Sequence, residues 1–580
     1  MKSRTSFFNT TAFKKDILRF APVWALYTIG MLLILFLNAE NRSTAILGRN
    51  VVSFMSTMGW FNFIYAGFCA LLLFGDLYNS RMCNALHALP IRREGWLLIH
   101  ILSGVLFALI PNLLVTGVGC VLLNGYAYIG LYWLAVAMLQ YLFFFGTAVL
   151  AAVCAGNRLA MAAIYCIIQF IVLLIYAMTE LIYQPLLYSV DIAEENILRY
   201  MPLLQMQNGK YVNFVYNYET VSADFTGINS EEWIHLGWCV LAGFMSVGIG
   251  LLVYRKRNLE TAGDFISLKH LPPVFLVIYT LCAGLLLYFI AEIFEGEYSY
   301  TFLAIGLVVG FYTGQMLLKR TVKVFKMKSF LGLLCFGGVL VGSMLLTRLD
   351  PLGITTYIPP VENVKWAAIY SADDDYRYNE EYNRPHYKIT DHSELEELQA
   401  FHEKLTQIRF TGDGYVKGCD IEILYEREDG SRVIRYYSVP EDSKLGREAK
   451  GWLSDARYLL GIDDPEHLTD YILELQADRC NVKWDENENT VTWLSLTEPE
   501  HLQAFAEAFL ADCQEQQTVQ AWEYHDDEAV LYYLGLNLEI PDDGQSTEKK
   551  SGRMDLRIWK SCTNTIACLD EIFTQYQNAQ

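Results

Sequence analysis

Nine apolar runs occupy most of the first 347 residues, at approximately 20–38, 52–75, 97–123, 127–153, 159–183, 234–254, 271–293, 300–318 and 329–347, and none contains a lysine or an arginine. A bilayer core about 30 Å thick is crossed by roughly 20 mainly apolar residues in an α-helix. A basic side chain at the centre of such a helix costs about 2.5 to 3.5 kcal/mol on insertion. Its absence from every run is therefore a constraint on where the runs can go. With 53% hydrophobic residues, the chain carries more apolar surface than soluble domains usually do. The expected fold class is a polytopic α-helical membrane protein with about nine transmembrane helices. The first run ends in FLNAEN with no small-residue cleavage site, so it reads as a retained span and not as a secretory signal.

Orientation follows from the basic residues between the runs. With the N-terminus inside, the inner segments 1–19, 76–96, 154–158, 255–270 and 319–328 hold 18 Lys and Arg, and the outer loops 39–51, 124–126, 184–233 and 294–299 hold 4. Nine spans then put everything after Thr347 outside the cell. That tail, 348–580, carries 22 basic and 47 acidic residues, against 22 and 17 in the part before it. Such an excess of negative charge repels nucleic acid and anionic headgroups, which excludes both as partners of the tail.

Between the second and third runs lies LFGDLYNSRMCNALHALPIRREGW, Leu73 to Trp96. Arg81, Arg92 and Arg93 give it positive charge. Leu77, Met82, Leu86 and Leu89 fall near helical spacing, and Pro90 stops the helix. The expectation is an amphipathic helix from about Leu77 to Leu89 lying across the cytoplasmic face. It is either a simple basic anchor or a docking element for a cytoplasmic partner. At the N-terminus, Phe7, Phe8, Phe13, Ile17 and Leu18 form one apolar stripe with Lys14, Lys15 and Arg19 opposite, the pattern of an interfacial helix over 1–19.

The region FGDLYNSRMCNALHALPIRREGWLLIHILSG, together with SFFNTTAFKKDILRFAPVWALYTIGML, resembles permease subunits of ABC-type exporters of the type-2 class, and is most similar to the Ytr-type permease family known mainly from Gram-positive bacteria. The resemblance covers residues 5–255 and is one of pattern. It implies a six-helix exporter core over 20–254, three additional helices over 255–347 and a large extracytoplasmic domain over 348–580. It also implies that Leu77, Arg81, Met82, Leu86, Leu89, Pro90 and Arg92 form the contact with an ABC ATPase subunit, and that a second permease subunit, identical or not, completes the transporter. In that class the outer loop 184–233, here with YQPLLY and RYMPLLQM broken by Pro185 and Pro202, holds short re-entrant helices at the outer gate. An ordinary ordered loop is the equal alternative.

Catalytic signatures are missing. No G-x-x-x-x-G-K-[ST] phosphate loop occurs, nor H-E-x-x-H, a paired C-x-x-C array or a G-x-S-x-G elbow. The chain is therefore expected not to be an enzyme and to hold no cofactor, with ATP and Mg on the partner ATPase. Polar residues within the runs are sparse: His100, Asn112, Gln140, Gln169, Glu180 and Gln315. Ionisable groups at such depth are candidates for a substrate path, which selects His100 and Glu180. Glycines recur every four residues at Gly306, Gly310 and Gly314 and again at Gly338 and Gly342, faces that let helices approach closely.

The tail reads as an α+β domain. DIEILYEREDGSRVIRYYSV alternates around Glu428-Asp429-Gly430, a hairpin signal. NVKW at Asn363 and Asn481 and LQAF at Leu398 and Leu502 point to two repeated strand-helix-hairpin units, with an insertion in the first copy. The acidic run Asp373, Asp374, Asp375, Glu380 and Glu381 lacks the spacing that wraps calcium and reads as a solvated loop. Cys419, Cys480, Cys513, Cys562 and Cys568 demand neither a bridge nor a metal. Together these features favour a multi-pass permease in the cell membrane. The alternative is a membrane-anchored receptor or assembly scaffold whose outer domain binds a ligand, and a membrane enzyme acting on lipid or cell-wall precursors is a third reading.

Overall fold

The computed structural model describes the chain except for residues 1–7, 40–43, 90, 124–125, 188, 191–200, 218–221, 269, 294–298, 372–386, 408–417, 441–442, 461, 463, 480–492, 517, 519–529, 541–549 and 580. Its contacts separate into two units, Met1–Ile182 with Ala193–Ser343, and Tyr183–Ile192 with Met344–Gln580. Phe7, Pro90, Cys480, the acidic run after Ser371 and the second NVKW lie outside the described residues.

The first unit is helical apart from one hairpin. Its elements are α1 (Thr10–Arg19), α2 (Ala21–Ala39), α3 (Thr44–Leu73), α4 (Ser80–His87), α5 (Arg93–Leu123), α6 (Ala127–Cys154) and α7 (Arg158–Met178). After these come α8 (Pro202–Asn208), the antiparallel hairpin β1 (Val212–Asn217) and β2 (Ser222–Ile228), then α9 (Ser230–Lys256), α10 (Leu271–Ile293), α11 (Ser299–Lys319) and α12 (Met327–Leu349). Among the described residues eight helices are long and apolar enough to cross a membrane, and α1 with α2, bent by 52°, makes a ninth candidate. Each of the nine apolar runs lies on one of these helices.

The helix α6 is the core of this unit, because most of its side chains are buried and α3, α5 and α9 pack around it. Glycine makes two of those contacts possible. A Cβ on Gly146 of α6 would stand 2.4 Å from the carbonyl oxygen of Gly243 on α9, so the two backbones touch there. On α5, the ring of Phe145 fills the space a Cβ on Gly104 would need. The stripe Gly306, Gly310 and Gly314 is spent inside the chain, against Ala283, Thr280 and Leu276 of α10, whereas Gly338 and Gly342 have no heavy atom within 4 Å of a built Cβ. The segment RYMPLLQM supplies α8, with Pro202 at its first turn and Leu203 and Met206 buried, Met206 facing Gly59 of α3. The segment YQPLLY instead supplies a 3-10 turn, Gln184–Leu186, that belongs to the second unit.

The second unit is α+β with two cores. The first holds β3 (Val364–Ser371), α13 (His392–Thr406), β4 (Gly418–Arg427), β5 (Arg432–Pro440) and α14 (Lys444–Ser454), with sheet order β3-β4-β5. The second holds α15 (Ala456–Leu460), α16 (Leu468–Tyr471), β6 (Ile472–Arg479), β7 (Trp493–Leu496), α17 (Pro499–Gln514), β8 (Val530–Ile540), β9 (Lys550–Trp559) and α18 (Thr563–Ala579), with sheet order β7-β6-β8-β9. All pairings are antiparallel. The expected hairpin is β4–β5, with Gly430 at φ 78° in its turn, a conformation that costs a glycine little. LQAF buries its Leu and Phe at matching places in α13 and α17. The strand before α17 that pairs with the following hairpin is β6, which precedes the second NVKW, and the extra element is β7 in the second half. The residues Ser189 and Val190 complete the β5 edge, Val190 bridging Arg435 and the Ser189 carbonyl accepting from the Tyr436 N–H at 3.0 Å.

Two buried polar clusters hold this unit. Asp512 on α17 is fully buried and accepts from the N–H groups of Asn564 and Thr565 at 3.1 and 2.8 Å and from the Thr565 hydroxyl at 2.6 Å, so it caps α18 from another helix. A carboxylate at a helix N-terminus meets both unpaired N–H groups and a favourable dipole. In the first core His402 lies between two tyrosines, Nδ1 3.0 Å from the Tyr425 hydroxyl and Nε2 2.9 Å from that of Tyr437. Burial, with Arg435 adding to it, lowers its pKa to about 3, so the folded unit holds a neutral imidazole. The unfolded chain takes up a proton as the pH falls below about 6.5, and the folded unit resists until about 3, so stability from this site is full above 6.5 and declines through that window. A 350–580 fragment, which retains the Asp350 cap of Ile354 and Thr355, should therefore lose about 2 kcal/mol between pH 7.5 and 5 from this residue. Urea midpoints at the two pH values measure it. The His402→Gln variant, which can still bond a tyrosine but cannot titrate, should lose correspondingly less, and an equal loss in both proteins would rule out His402 as the source.

Candidate functional site

The segment between α3 and α5 folds in two pieces. Phe74–Tyr78 prolongs α3 as a 3-10 turn, and then Asn79 leaves helical geometry and accepts from the N–H groups of Arg81 and Met82 at 3.0 and 3.5 Å. That cap starts α4 at Ser80. On α4, Cys83 points inward and is buried and Leu86 is half-buried, while Arg81, Met82 (42% accessible) and Leu89 (46%), just beyond the helix, face out. Arg92 is also exposed.

Two sequence expectations change here. The helix begins three residues later than the apolar spacing implied, and Leu77 is only 6% exposed within the core of the first unit. The tighter 3-10 turn over Phe74–Tyr78 breaks the helical spacing that was read from Leu77 onward. Leu86 lines a cavity of about 10 Å³ beneath α4, with Phe74, Leu77, Cys83 and His100. A space of that size holds at most one water, so the region is a seat for α4 and not a ligand pocket.

His100 closes the same seat from α5. Its Nδ1 stands 2.9 Å from Oδ2 of Asp16 on α1, both groups are buried, and its ring meets Phe74 edge-on at 5.4 Å. Asp16 interrupts the apolar stripe expected of α1. Phe8, Phe13 and Ile17 are half-buried, but Leu18 is exposed beside Lys14, Lys15 and Arg19. The buried Asp16 has its partner on α5, which the α1 sequence alone does not report. Glu180, the other residue selected for a substrate path, sits in the π-helical turn Thr179–Tyr183 beyond the last turn of α7 and is partly exposed. His100 is in the second turn of α5, at Arg93–Leu123, and the structure does not bring the two together.

A further polar cluster lies inside the helices. Asn62 on α3 donates to the Ala137 carbonyl and to Gln140 Oε1, each at 3.1 Å, and Gln140 in turn donates to the Met55 carbonyl at 3.3 Å and the Tyr211 hydroxyl at 3.2 Å. Tyr65 and Tyr141 donate to the carbonyls of Phe107 and Gly104 at 2.8 Å. Gln169 donates to Thr147 Oγ1 at 2.7 Å, and Gln315 ties Lys319 to Ser329, accepting from each at 2.8 Å. Of these, sequence reading found the three glutamines, and missed Asn62 and the tyrosines. Tyrosine counts as apolar in a hydropathy pattern, so only a residue-by-residue search of each run could find them. Among the described residues no group of three His, Cys, Asp or Glu could hold a metal ion, and the described cysteines form no disulfide.

No family model, curated protein or solved structure matches this chain.

The Asp16–His100 pair yields a test of how α1 is held. Removing one partner of a buried hydrogen bond leaves the other unsatisfied, at a cost of about 1 to 3 kcal/mol. His100→Leu should release α1 and speed trypsin cleavage after Lys14 or Lys15 by about ten-fold, measured on the detergent-solubilised chain. The double variant Asp16→Leu, His100→Leu should return toward the original rate. Unchanged cleavage in the single variant would show that α1 is held by its apolar contacts alone.

Proposed function

We propose that this chain is the transmembrane permease subunit of an ATP-driven exporter of the ABC type-2 class, moving its cargo with energy from a separate ATPase subunit. The observation that carries the reading is α4: a capped, two-turn helix between two long apolar helices, seated by Cys83 and Leu86 and presenting Arg81, Met82 and Leu89 outward. A short amphipathic helix held rigidly on such a base is suited to dock into a cleft of a partner. Its exposed apolar pair supplies contact area and its arginines supply complementarity to acidic groups.

In this reading the nine apolar helices cross the cell membrane with the N-terminus cytoplasmic and the tail extracytoplasmic, and a second permease subunit of the same or a related kind completes the path. The distribution of Lys and Arg supports that orientation. The pairing of Val190 with Arg435 supports the number of crossings after that loop, because it requires the loop after α7 and the tail to share one side of the bilayer, whichever side that is. An even number of crossings must then separate them, and α9, α10, α11 and α12 provide four. The acidic outer unit gates the path or senses its cargo.

Two experiments test the reading. A reporter fused after Gln580 should behave as extracytoplasmic and be cut by protease added to intact protoplasts; a protected tail would overturn the topology. Met82→Asp with Leu89→Asp places charge on the docking face and should weaken co-purification of a phosphate-loop ATPase by about ten-fold or more, since an unpaired carboxylate is buried in the contact. Undiminished co-purification would remove α4 as the docking element. Leu86→Asp is a poorer probe, because Leu86 also lines the seat.

A further inference from the structure

We propose that Arg257 is a positioning residue that locks α4 to the end of α9, so that a movement of α4 is delivered to α9; the proposal rests on the reading of α4 as the ATPase contact. Arg257 terminates α9 as its C-cap and is 3% exposed. Its guanidinium reaches in two directions. Nη1 donates to the carbonyls of Val153 and Ala152 at 2.9 and 3.4 Å, and Nη2 donates to the carbonyl of Leu77 at 3.2 Å. Val153 and Ala152 belong to the last turn of α6, whose carbonyls have no partner within their own helix. Leu77 is two residues before the Asn79 cap of α4.

The backbone of the same residue holds the other end. Arg93, the first residue of α5, donates from Nη2 to the Arg257 carbonyl at 3.0 Å and places its guanidinium 5.7 Å from the ring centre of Tyr254 on α9. Arg255 extends this edge through an ion pair with Glu94 at 3.2 Å. The chain thus leaves the bundle at Leu77, forms α4, and returns at Arg93, and both points are bonded to one residue. Among the described residues no carboxylate pairs with Arg257. Its charge is satisfied by carbonyl oxygens at the C-terminal end of a helix, where a cation is favoured. An arginine is required for this, because a single lysine ammonium cannot span carbonyls on two sides as the planar fork does.

This arrangement gives α4 and α9 one shared anchor. A partner pushing on the exposed face of α4 loads the Leu77 and Arg93 bonds together, and both loads fall on the last residue of α9. The far end of α9, beginning at Ser230, follows the β1–β2 hairpin, so a rigid α9 carries displacement along its whole length.

The test uses the full chain in complex with its co-purifying ATPase, in nanodiscs, with hydrogen exchange followed in α4 and in residues 230–236, with and without Mg-ATP and vanadate. In the unaltered complex both regions should change with nucleotide. Arg257→Met keeps apolar bulk but removes the donors. It should leave complex yield and the α4 response intact while reducing the 230–236 response about ten-fold, the scale of one charge-assisted hydrogen bond. Arg257→Lys should fall between, and Arg93→Gln, which cuts only the rear bond, should give a partial loss. The last two carry the test if Arg257→Met does not accumulate. A full 230–236 response in these variants would overturn the proposal while leaving α4 as the docking element. An α4 that shows no protection on ATPase binding, in the unaltered complex, would overturn both.

Discussion

The first unit depends on the close approach of α6 and α9 at Gly146 and Gly243, where a methyl group on the α6 residue would stand 2.4 Å from a backbone oxygen. Two helices in contact at the backbone exclude side chains from between them, and the large residues of α6 are turned toward α3 and α5. Phe144, Phe145 and Tyr141 are then fully buried, with the ring of Phe145 over Gly104. The same contact fixes where α9 ends relative to α6. That register is what lets a side chain from Arg257 reach the last carbonyls of α6, and so the seat beneath α4 inherits its geometry from a glycine pair about half of α9 away.

Much of this was legible in the sequence, and the limits have physical causes. The apolar runs were legible because exclusion of Lys and Arg is a strong signal that does not depend on packing. The β4–β5 hairpin was legible because its turn chemistry and alternation agree. The start of α4 was not, since Leu77 fits a helical period that the 3-10 turn interrupts, and the cap that ends the ambiguity is the single residue Asn79. Arg257 was legible only as one of the basic residues of an inner segment. Its burial depends on carbonyls more than a hundred positions away in the chain, and no local pattern reports that. In the tail, LQAF was legible on helix faces because its Leu and Phe enter a core in both halves.

The buried tyrosines and amides show a different limit. Hydropathy treats a helix as an average, yet Asn62 and Gln140 are fully buried and linked across two helices. An amide pair of this kind must find partners inside the bundle, and the backbone carbonyls of Ala137 and Met55 serve. Polar groups of this sort hold neighbouring helices in one register, because sliding either helix would strand a donor. The apolar surface decides that the helices pack, and the few buried amides decide how.

One way of holding a buried charge recurs in both units. Arg257 sits on the last carbonyls of α6, Asp512 on the first N–H groups of α18, and Arg435 on the carbonyls of Ile434, Ile354 and Tyr357. In none of these bonds does a buried charge rely on an opposite charge. Backbone groups that lack partners, chiefly at helix ends, are already required by the fold and already oriented, so a charge placed there is compensated without desolvating a second ion. The arrangement is also more exacting than a salt bridge, because a carbonyl at a helix end cannot follow a displaced side chain as a flexible carboxylate can. A charge held this way reports the position of the element that carries it, which is why the arginine that ends α9 and the aspartate that caps α18 each fix one helix against another.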